Sequence, residues 1–377
     1  MDMQDDLTLM QQHLEKVAKE KLYDNNALMA YTYNDGQAES GYYSPDEVNL
    51  GDCIQALAAK QFMPEVDTYI DRDRLGIYQG KPVNMIMNAW YRLWRKNRIF
   101  APQIHPLMVS MHLNNLQDID EEVLAYYKAH EPIGCRDLAT RDFLQNKGIK
   151  AYFSGCMTLT LSETYRVADD QRENVIYFVH YRLGQNRKID NEIKKILQAY
   201  PDCKILYRTQ HAPMDMACRT RIQEAENLLR EYARARLVIT SKIHCALPCL
   251  ALGTPVVFVT PRFCKDRFKG LISFFNHIGK NENDIFTCNV VKDAQGRVLN
   301  KTEHLRYAEY LKKLCLAFMH LKEMPQKKKA ENYVSQLQSD TAPYKTAFRA
   351  IEFQRKENRR KIILFGCICI KYKKKAA

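Results

Sequence analysis

The sequence predicts an α/β protein with two Rossmann-like lobes and a helical, basic C-terminal segment. Short apolar runs alternate with helix-length amphipathic stretches in two separate series, which is typical of parallel sheets covered by helices on both faces. The 377 residues are also long for one domain, since a domain commonly holds about 150 residues. We therefore expect lobes at residues 1–165 and 170–300, followed by a helical basic extension at residues 301–377.

The first series begins with a short amphipathic helix at residues 8–21. A second helix is expected to begin near Asn49–Asp52, because Ile54, Leu57 and Phe62 follow at helical spacing. Strand-like apolar runs, separated by polar or proline-containing turns, lie at residues 27–33, 66–70, 83–90, 107–113 and 132–137.

The second series alternates more regularly, and a charged stretch at residues 162–173 separates it from the first. Its strand-like runs lie at residues 174–181, 203–208, 236–240 and 255–259. Helical stretches fit between them at residues 188–199, 219–235 and 241–253. Parallel sheets of this kind bind ligands beyond the carboxyl ends of their strands, which is where candidate residues are sought.

The net charge of +13 is concentrated at the C-terminus. From Lys322 onward there are 15 Lys and Arg residues against 5 Asp and Glu residues, so this segment carries +10. The nearly balanced body argues against nucleic acid as a partner. The acidic N-terminus has no apolar signal segment, no run approaches the roughly 20 apolar residues of a membrane helix, and the twelve cysteines form no CxxC pair. These features predict a cytoplasmic protein with reduced thiols.

The tail contains a nine-residue apolar run, Ile362–Ile370, between basic clusters. Such a run fits the surface of an anionic membrane leaflet, which would place the protein at the inner face of the membrane. A final strand or helix packed on the body explains the same pattern, and the sequence leaves both interpretations open.

Polar groups mark two strand-to-helix junctions of the first series. Asn49, Gly51 and Asp52 form one of them, where plain helix capping is the alternative to ligand binding. Neither GxGxxG nor GxxxxGK[ST] occurs, so a dinucleotide site or a P-loop is not supported. Arg136 follows the strand of the second junction and suits a carboxylate or phosphate, with a surface ion pair to Asp137 as the alternative.

The second series supplies two further junctions. His180 and His211 lie at the ends of two strands that we expect to be neighbours, and neither has partners at a spacing typical of zinc ligands. Ser241, Lys242 and His244 follow the strand that ends at Thr240. Because proline is tolerated only in the first turn of a helix, Pro248 implies a kink or a late helix start, with backbone amides free for an anion.

The segment "SKIHCALPCLALGTPVVF" resembles the signature of the polysaccharide pyruvyl transferase family, which reads S-R-x-H-x-A followed by an apolar helix and G-x-P-V. "NLGDCIQ" is similar to the family's early N-x-G-D element, and "PIGCRDLAT" and "YFSGCMTLTL" look like middle blocks of a bacterial subgroup. The resemblance spans roughly residues 45–265. Lys242 stands where the family commonly has Arg, which keeps the charge but loses the planar bidentate fork.

The resemblance implies a GT-B-like pair of lobes and a pyruvyl transfer from phosphoenolpyruvate to a sugar, forming a ketal in bacterial capsule, exopolysaccharide or cell-wall glycans. It implies no cofactor or metal, and a sugar acceptor that is free or lipid-linked. His244 is then expected to be the acid/base group and Asp52 a possible base. The residues expected to contact the donor or the sugar are Asn49, Gly51, Arg136, His180, His211, Ser241 and Lys242.

Two rival functions fit parts of the same sequence. A nucleotide-sugar glycosyltransferase of the same architecture also cleaves a bond to phosphate in a two-lobed cleft. A non-catalytic scaffold that binds nucleic acid or membrane through the basic C-terminus explains the tail but leaves the four junctions unexplained.

Overall fold

A computed structural model describes residues 3–31, 47–92, 99–114, 119–263 and 265–325, together with three strands between residues 354 and 373. Residues Met1–Pro325 form one compact unit and Gln326–Ala377 a second one. Each unit is described by itself.

Four of the described helices of the first unit begin at a residue whose side chain caps them. Asn49, Asp137 and Asn186, for example, each accept a hydrogen bond from a backbone amide of the following turn. The helices are α1 (Met3–Val17), α2 (Leu50–Lys60), α3 (Glu121–Ala129), α4 (Leu138–Asn146), α5 (Ser162–Tyr165), α6 (Arg187–Leu197), α7 (Cys218–Arg234), α8 (Ile243–Ala251), α9 (Lys265–Phe268) and α10 (Leu305–Phe318).

The strands are short and mostly buried. Those of the N-terminal half are β1 (Asn25–Ala30), β2 (Glu47–Asn49), β3 (Thr68–Asp71), β4 (Val83–Ile86), β5 (Trp90–Arg92), β6 (Ile104–Leu107), β7 (His112–Asn114), β8 (Ile133–Cys135) and β9 (Ala151–Phe153). Those that follow in the first unit are β10 (Val175–Val179), β11 (Lys204–Arg208), β12 (His211–Pro213), β13 (Leu237–Thr240), β14 (Val256–Thr260), β15 (Asn276–Lys280) and β16 (Phe286–Asn289).

Two larger sheets organise the first unit. The N-terminal sheet has the order β3-β1-β4-β6 and all of its pairings are parallel. The second sheet has the order β11-β10-β13-β14-β15-β16, which is parallel except for the antiparallel edge strand β16. The small parallel pairs β5-β7 and β8-β9 extend the N-terminal half. The predicted α/β class with parallel sheets is confirmed, while the GT-B-like arrangement and the two lobe boundaries stay predictions.

The second sheet is buried on both faces, as its sequence pattern requires. Ile176 and Phe178 of β10 belong to a local core that includes Ile189 and Ile193 of α6. The alternate residues of β10 face a larger apolar core that also contains residues of the N-terminal half, such as Leu28. This larger core is continuous from one half of the unit to the other, so the two sheets share buried apolar surface.

A two-stranded antiparallel sheet also joins the halves. β2 pairs with β12 in a register that sets Asn49 opposite His211, and the amide of Leu50 donates to the carbonyl of Gln210 at 2.7 Å. This pairing carries the start of α2 to the carboxyl ends of the second sheet.

Most predicted elements occur within a few residues of their expected positions, with three differences. The first helix lies at Met3–Val17, with two aspartates in its first turn, rather than at residues 8–21. The single apolar run at 107–113 is divided between β6 and β7, because Ser110 between them has a left-handed φ of 53° that ends the extended backbone. The run at 83–90 is likewise divided between β4 and β5.

The predicted helical extension at 301–377 is wrong for part of its length. α10 is helical, but the described residues of the second unit form the antiparallel strands β17 (Gln354–Lys356), β18 (Arg359–Leu364) and β19 (Ile368–Lys373). The isoleucine-rich runs of this tail favour strands over helix. Its contact with an anionic membrane stays a prediction that vesicle sedimentation would test. In the described part of the chain, no helix has the length and apolarity needed to cross a membrane.

A buried polar chain fastens α1 to the rest of the first unit. His13 Nδ1 lies 2.7 Å from the Tyr152 hydroxyl, which lies 2.7 Å from the Tyr310 hydroxyl, and Tyr310 donates to the carbonyl of Met10. Burial, reinforced by the nearby charge of Lys16, lowers the pKa of His13 to about 3. The imidazole is therefore neutral in the folded protein at pH 5 to 7.

We expect His13→Asn to reduce the sensitivity of the fold to acid. In the unfolded chain His13 takes up a proton below about pH 6.5, whereas in the folded chain it does so only near its lowered pKa, so its contribution to stability is present above pH 6.5 and lost as the pH falls. The drop in unfolding free energy between pH 7 and pH 5, measured by urea titration, should be about 2 kcal/mol smaller in the variant. The surface variant His320→Asn is the control. An equal drop in His13→Asn and wild type would contradict the assignment.

Candidate active site

The four junctions predicted from the sequence lie at the carboxyl ends of the strands and are brought together by the β2-β12 pairing. At its centre the start of α2 meets the start of α8. A Cβ atom added to Gly51 would lie 3.1 Å from the Cβ of His244 and 3.1 Å from the Oδ1 of Asn49. Only glycine leaves room for this approach of the two helix starts.

The start of α8 has the kinked geometry that Pro248 predicts. Lys242 is extended, with a φ of −104° and a ψ of 127°, and His244 leaves the helical region with a ψ of 18°. The amides of Cys245 and Ala246 donate to the carbonyl of Lys242. The regular helix therefore begins after His244, and His244 lies at the junction between strand and helix as expected.

His244 is buried and surrounded by cationic side chains. In the part of the chain that the structure describes, its Nε2 atom has no hydrogen-bond partner, while its carbonyl oxygen accepts from the Nε2 of Gln210 at 3.0 Å. Burial holds the pKa of His244 well below its usual value, and the positive charges of Arg136 and Arg267 lower it further, with smaller effects of His112 and Lys242. The imidazole is therefore neutral in a pocket that has an excess of positive charge.

Arg136 lies directly after β8 and has no exposed surface. Its Nη1 atom donates to the Oε1 of Gln55 at 3.4 Å, and its Nε atom lies 3.8 Å from the Oδ2 of Asp137. Neither Nε nor Nη2 has a hydrogen-bond partner among the residues that the structure describes. Burial lowers the pKa of Arg136, although the Asp137 carboxylate acts in the opposite direction. A buried guanidinium with two unused donors is a strong site for a bidentate anion.

Asp137 joins the arginine to a buried histidine. Its Oδ2 atom lies 2.6 Å from the Nδ1 of His112. Its Oδ1 atom accepts from the amide and the hydroxyl of Thr140, so that Asp137 caps α4. Burial opposes ionisation of Asp137, but His112 and Arg136 hold the pKa of its carboxyl group below the usual value. Burial lowers the pKa of His112 by more than the Asp137 carboxylate raises it. The sequence alternative of a surface Arg136–Asp137 pair is wrong, since both side chains are buried.

Asp52 lies in the first turn of α2, capped by Asn49, whose Oδ1 accepts from the amide of Gly51. The carboxylate of Asp52 is buried and accepts from the Nε2 of Gln55 at 3.1 Å and from the Nε1 of Trp90 at 3.3 Å. Its negative charge acts on Lys242. The capping of α2 by Asn49 therefore occurs as expected, and Asp52 in the same turn acts on the cationic pocket.

His180 and His211 form a more exposed part of the site. The strands that precede them in the sequence, β10 and β11, are neighbours as expected. The rings of His180 and His211 lie 4.4 Å apart. His211 contacts Glu47 through Nδ1 at 2.9 Å, and its Nε2 lies 3.5 Å from the Nζ of Lys242. Burial lowers the pKa of His180 to about 3, together with the charges of Lys242 and His211. The partly exposed pair His180 and His211 thus lies between Lys242 and the surface of the protein.

Backbone geometry holds His180 in place. It has a left-handed φ of 53°, which is unusual for a residue other than glycine. Its carbonyl oxygen accepts from the Oγ of Ser241 at 2.9 Å, and its Nε2 accepts from the amide of Gln210 at 2.8 Å. Ser241 therefore supports His180.

The structure thus brings all nine sequence-predicted site residues into one region. It also adds residues that sequence reasoning missed: Gln55, Trp90, His112, Asp137, Gln210 and Arg267. His112 is a polar residue inside the apolar run at 107–113, which is a weaker signal than the position of His180 after its strand. Arg267 gave no such signal, since it lies on the four-residue helix α9. In the described ranges, no group of three or more His, Cys, Asp or Glu residues is arranged to hold a metal ion.

Comparison with known proteins bears on this region directly. Residues 110–262 match the family model of polysaccharide pyruvyl transferases. The match confirms the sequence resemblance over that segment, which contains His112, Arg136, His180, His211 and His244. The Asn49–Asp52 junction and Arg267 lie outside the matched pyruvyl transferase segment.

Other comparisons are more distant. Three solved chains match the structure. One of them is a functionally uncharacterised protein from Klebsiella pneumoniae, with 12% sequence identity and a TM-score of 0.37, and the alignment covers 72% of this chain and 94% of that chain. A search of curated proteins finds no match.

We expect Arg136→Met to remove anion binding without weakening the empty protein. Because hydrogen bonds to a charged group contribute about 1.5 to 3 kcal/mol, the affinity for inorganic phosphate, measured by calorimetry, should fall by about 10- to 100-fold. Since the methionine buries no unpaired charge, the melting temperature without ligand should stay equal or rise. The control is Arg141→Gln on α4, where Arg141 pairs with Asp142. Undiminished phosphate binding by Arg136→Met would show that the anion does not use this pocket.

We expect sulfate binding to take up a proton at His244. The anion offsets the surrounding cations and raises the lowered pKa of His244, so the bound state holds more protons and affinity falls as the pH rises from 5.5 to 8. The charge of the sulfate dianion does not change over this pH range, so any pH dependence of its affinity comes from protonation of the protein. His244→Gln should flatten the pH dependence by up to one proton, and His130→Gln should retain it. If His244→Gln left the pH dependence of sulfate affinity unchanged, a group other than His244 would take up the proton.

Proposed function

We propose that the chain transfers the pyruvyl group of phosphoenolpyruvate to two hydroxyl groups of a sugar, forming a ketal in bacterial polysaccharide biosynthesis. One observation carries the donor part of this proposal. Arg136 is fully buried, its Nε and Nη2 atoms have no hydrogen-bond partner among the described residues, and its charge acts on His244. A carboxylate or a phosphate pairs with a guanidinium through two parallel hydrogen bonds, and phosphoenolpyruvate carries both groups. The family match over residues 110–262 supports the same reaction.

The donor has three negative charges when fully ionised, and the pocket has matching cations. Arg136, Lys242 and Arg267 all act electrostatically on His244. We assign Arg136 to one anionic group of the donor, and Lys242 and Arg267 to the other. Lys242 offers a point charge where the family commonly has a planar guanidinium, and this still serves a phosphate.

The chemistry requires an acid for the terminal carbon of the enol and a base for the attacking hydroxyl. His244 is assigned as the acid. The negative charge of the bound donor raises the lowered pKa of its imidazole, so that the group is protonated only once the donor is present. The cationic pocket would also stabilise the charge of the departing phosphate.

The acceptor is assigned to the rim of the pocket. Asn49 and Asp52 at the start of α2 adjoin the partly exposed group of His180 and His211 across the β2-β12 pairing. Amide, carboxylate and imidazole groups are suited to sugar hydroxyls. Gly51 keeps this rim close to His244.

The proposal predicts that purified protein releases phosphate from phosphoenolpyruvate when a suitable glycoside is present, with galactosides included in the panel. His244→Ala should lower this turnover by about 10²- to 10⁴-fold, the usual contribution of a general acid or base. His130→Gln, whose ring bonds the carbonyl of Tyr126 outside the site, should retain full activity. Unaltered turnover in His244→Ala would refute the assigned role.

A thermal-shift comparison separates this function from glycosyl transfer. Phosphoenolpyruvate should raise the melting temperature of the wild type, and Arg136→Met should abolish the rise. Stabilisation by UDP-sugars without stabilisation by phosphoenolpyruvate would overturn the proposal.

A further inference from the structure

His112 has a rigid position that the roles assigned so far do not use. It begins β7, directly after the left-handed Ser110, and its amide donates to the carbonyl of Ala89 at 3.0 Å. Its ring is almost completely buried, and its Nδ1 lies 2.6 Å from the carboxylate of Asp137. Both the backbone and the ring are thus fixed by neighbouring strands and by the start of α4.

The Asp137 contact determines which ring nitrogen carries the proton. An ionised carboxylate can only accept hydrogen bonds, so Nδ1 of His112 must be the donor. The Nε2 atom of the neutral ring then presents a lone pair, and it forms no hydrogen bond with the part of the chain that the structure describes. A histidine oriented by a carboxylate, with its other nitrogen open, has the arrangement of a general base.

The surroundings of His112 place it at the reaction centre. The positive charges of Arg136 and Arg267 act on its ring, and His112 itself acts on His244. His112 is therefore joined through Asp137 to the region of Arg136, and it lies within electrostatic range of the imidazole assigned as the acid. Asp137, which orients His112, also lies 3.8 Å from the Nε of Arg136. At that distance Asp137 makes no hydrogen bond to Arg136, so its direct role is to orient His112.

Asp52 is less suited to the role of base. Both of its carboxylate oxygens accept hydrogen bonds from fixed neighbours, one from Gln55 and the other from Trp90. A proton from a sugar would have to go to an oxygen that already accepts one of these bonds, whereas Nε2 of His112 accepts no hydrogen bond from the described residues.

We propose that His112 is the general base that activates the attacking sugar hydroxyl, and that Asp137 is the positioning residue that fixes its tautomer. This inference rests on the proposed function.

The protons balance as follows. Protonated His244 gives its proton to the terminal carbon of phosphoenolpyruvate, and the hydroxyl oxygen forms a bond to the phosphate-bearing carbon while its proton passes to Nε2 of His112. When the bond from that carbon to the phosphate oxygen breaks, the proton of His112 moves to the leaving phosphate. The second hydroxyl then forms its bond to the same carbon and gives its proton to the neutral His244. Both imidazoles return to their starting states and no further reactant is consumed.

The test compares His112→Gln and Asp137→Asn in the full-length protein. In Asp137→Asn the amide oxygen can still accept the hydrogen bonds at the start of α4, while the amide nitrogen faces His112 as a donor. Nδ1 of His112 must then accept, so the ring proton moves to Nε2 and the Nε2 lone pair is lost. Phosphate release from phosphoenolpyruvate, with the glycoside that the wild type uses, should fall by about 10²- to 10⁴-fold in both variants. Binding of phosphoenolpyruvate should change little, so the loss falls on kcat. Asp142→Asn on the same helix and His130→Gln are the matched controls.

A second measurement reports on the tautomer alone. Nitrogen-15 spectra of histidine-labelled protein with inorganic phosphate bound should show His112 protonated on Nδ1 in the wild type, with the signal assigned from its loss in His112→Gln. In Asp137→Asn the proton should move to Nε2. Circular dichroism and melting temperature confirm that each variant is folded, and if His112→Gln does not fold, Asp137→Asn carries the kinetic test.

Each outcome is decisive for a different claim. Full turnover by folded His112→Gln or Asp137→Asn, while the wild type and His244→Ala behave as proposed, would overturn the role of His112 and leave the proposed function intact. A wild-type tautomer with the proton on Nε2 would also overturn it. A wild type that releases no phosphate with any glycoside would overturn the proposed function and this inference together.

Discussion

The burial of one guanidinium group organises the rest of the site. Arg136 has no exposed surface, and among the described residues its side chain is paired with Gln55 and, at a longer distance, with the Asp137 carboxylate. Taking a charge out of water costs several kcal/mol unless partners compensate, so an anion bound beside Arg136 would offset part of this cost. The nearby imidazoles are neutral because burial lowers their pKa, and the fixed positive charge around them lowers it further.

A second constraint is the strand pairing that holds the two halves of the first unit together. β2 and β12 are three residues long, yet their register sets Asn49 opposite His211 and places the start of α2 against the start of α8. Residues that are almost two hundred positions apart in the sequence thus line one pocket. The apolar core that both halves share keeps the two helix starts at a fixed separation.

Sequence reasoning located the parallel sheets, the four polar junctions and the kink at Pro248, because each depends on a local signal such as periodicity, a strand end or a proline. It also selected Arg136 and His244. What it missed was decided by long-range contacts. Asp137 looked like a surface partner of Arg136, and only the folded chain shows that it is buried and bound to His112. Arg267 lies on a single helical turn without a pattern of its own. The extension from residue 301 was expected to be helical and basic, but the isoleucine runs of its tail form strands.

The antiparallel pairing of β2 with β12 also has an evolutionary consequence. A strand alternates its faces residue by residue, so inserting or deleting one residue within Glu47–Asn49 would turn Asn49 away from His211 and move the start of α2. Sequence drift in this short segment is therefore restricted to substitutions, although it lies outside the segment that the family model matches. Changes in chain length during divergence must accumulate elsewhere, so the spacing from β2 to Asp52 is a more durable marker of ancestry than the residue types within it.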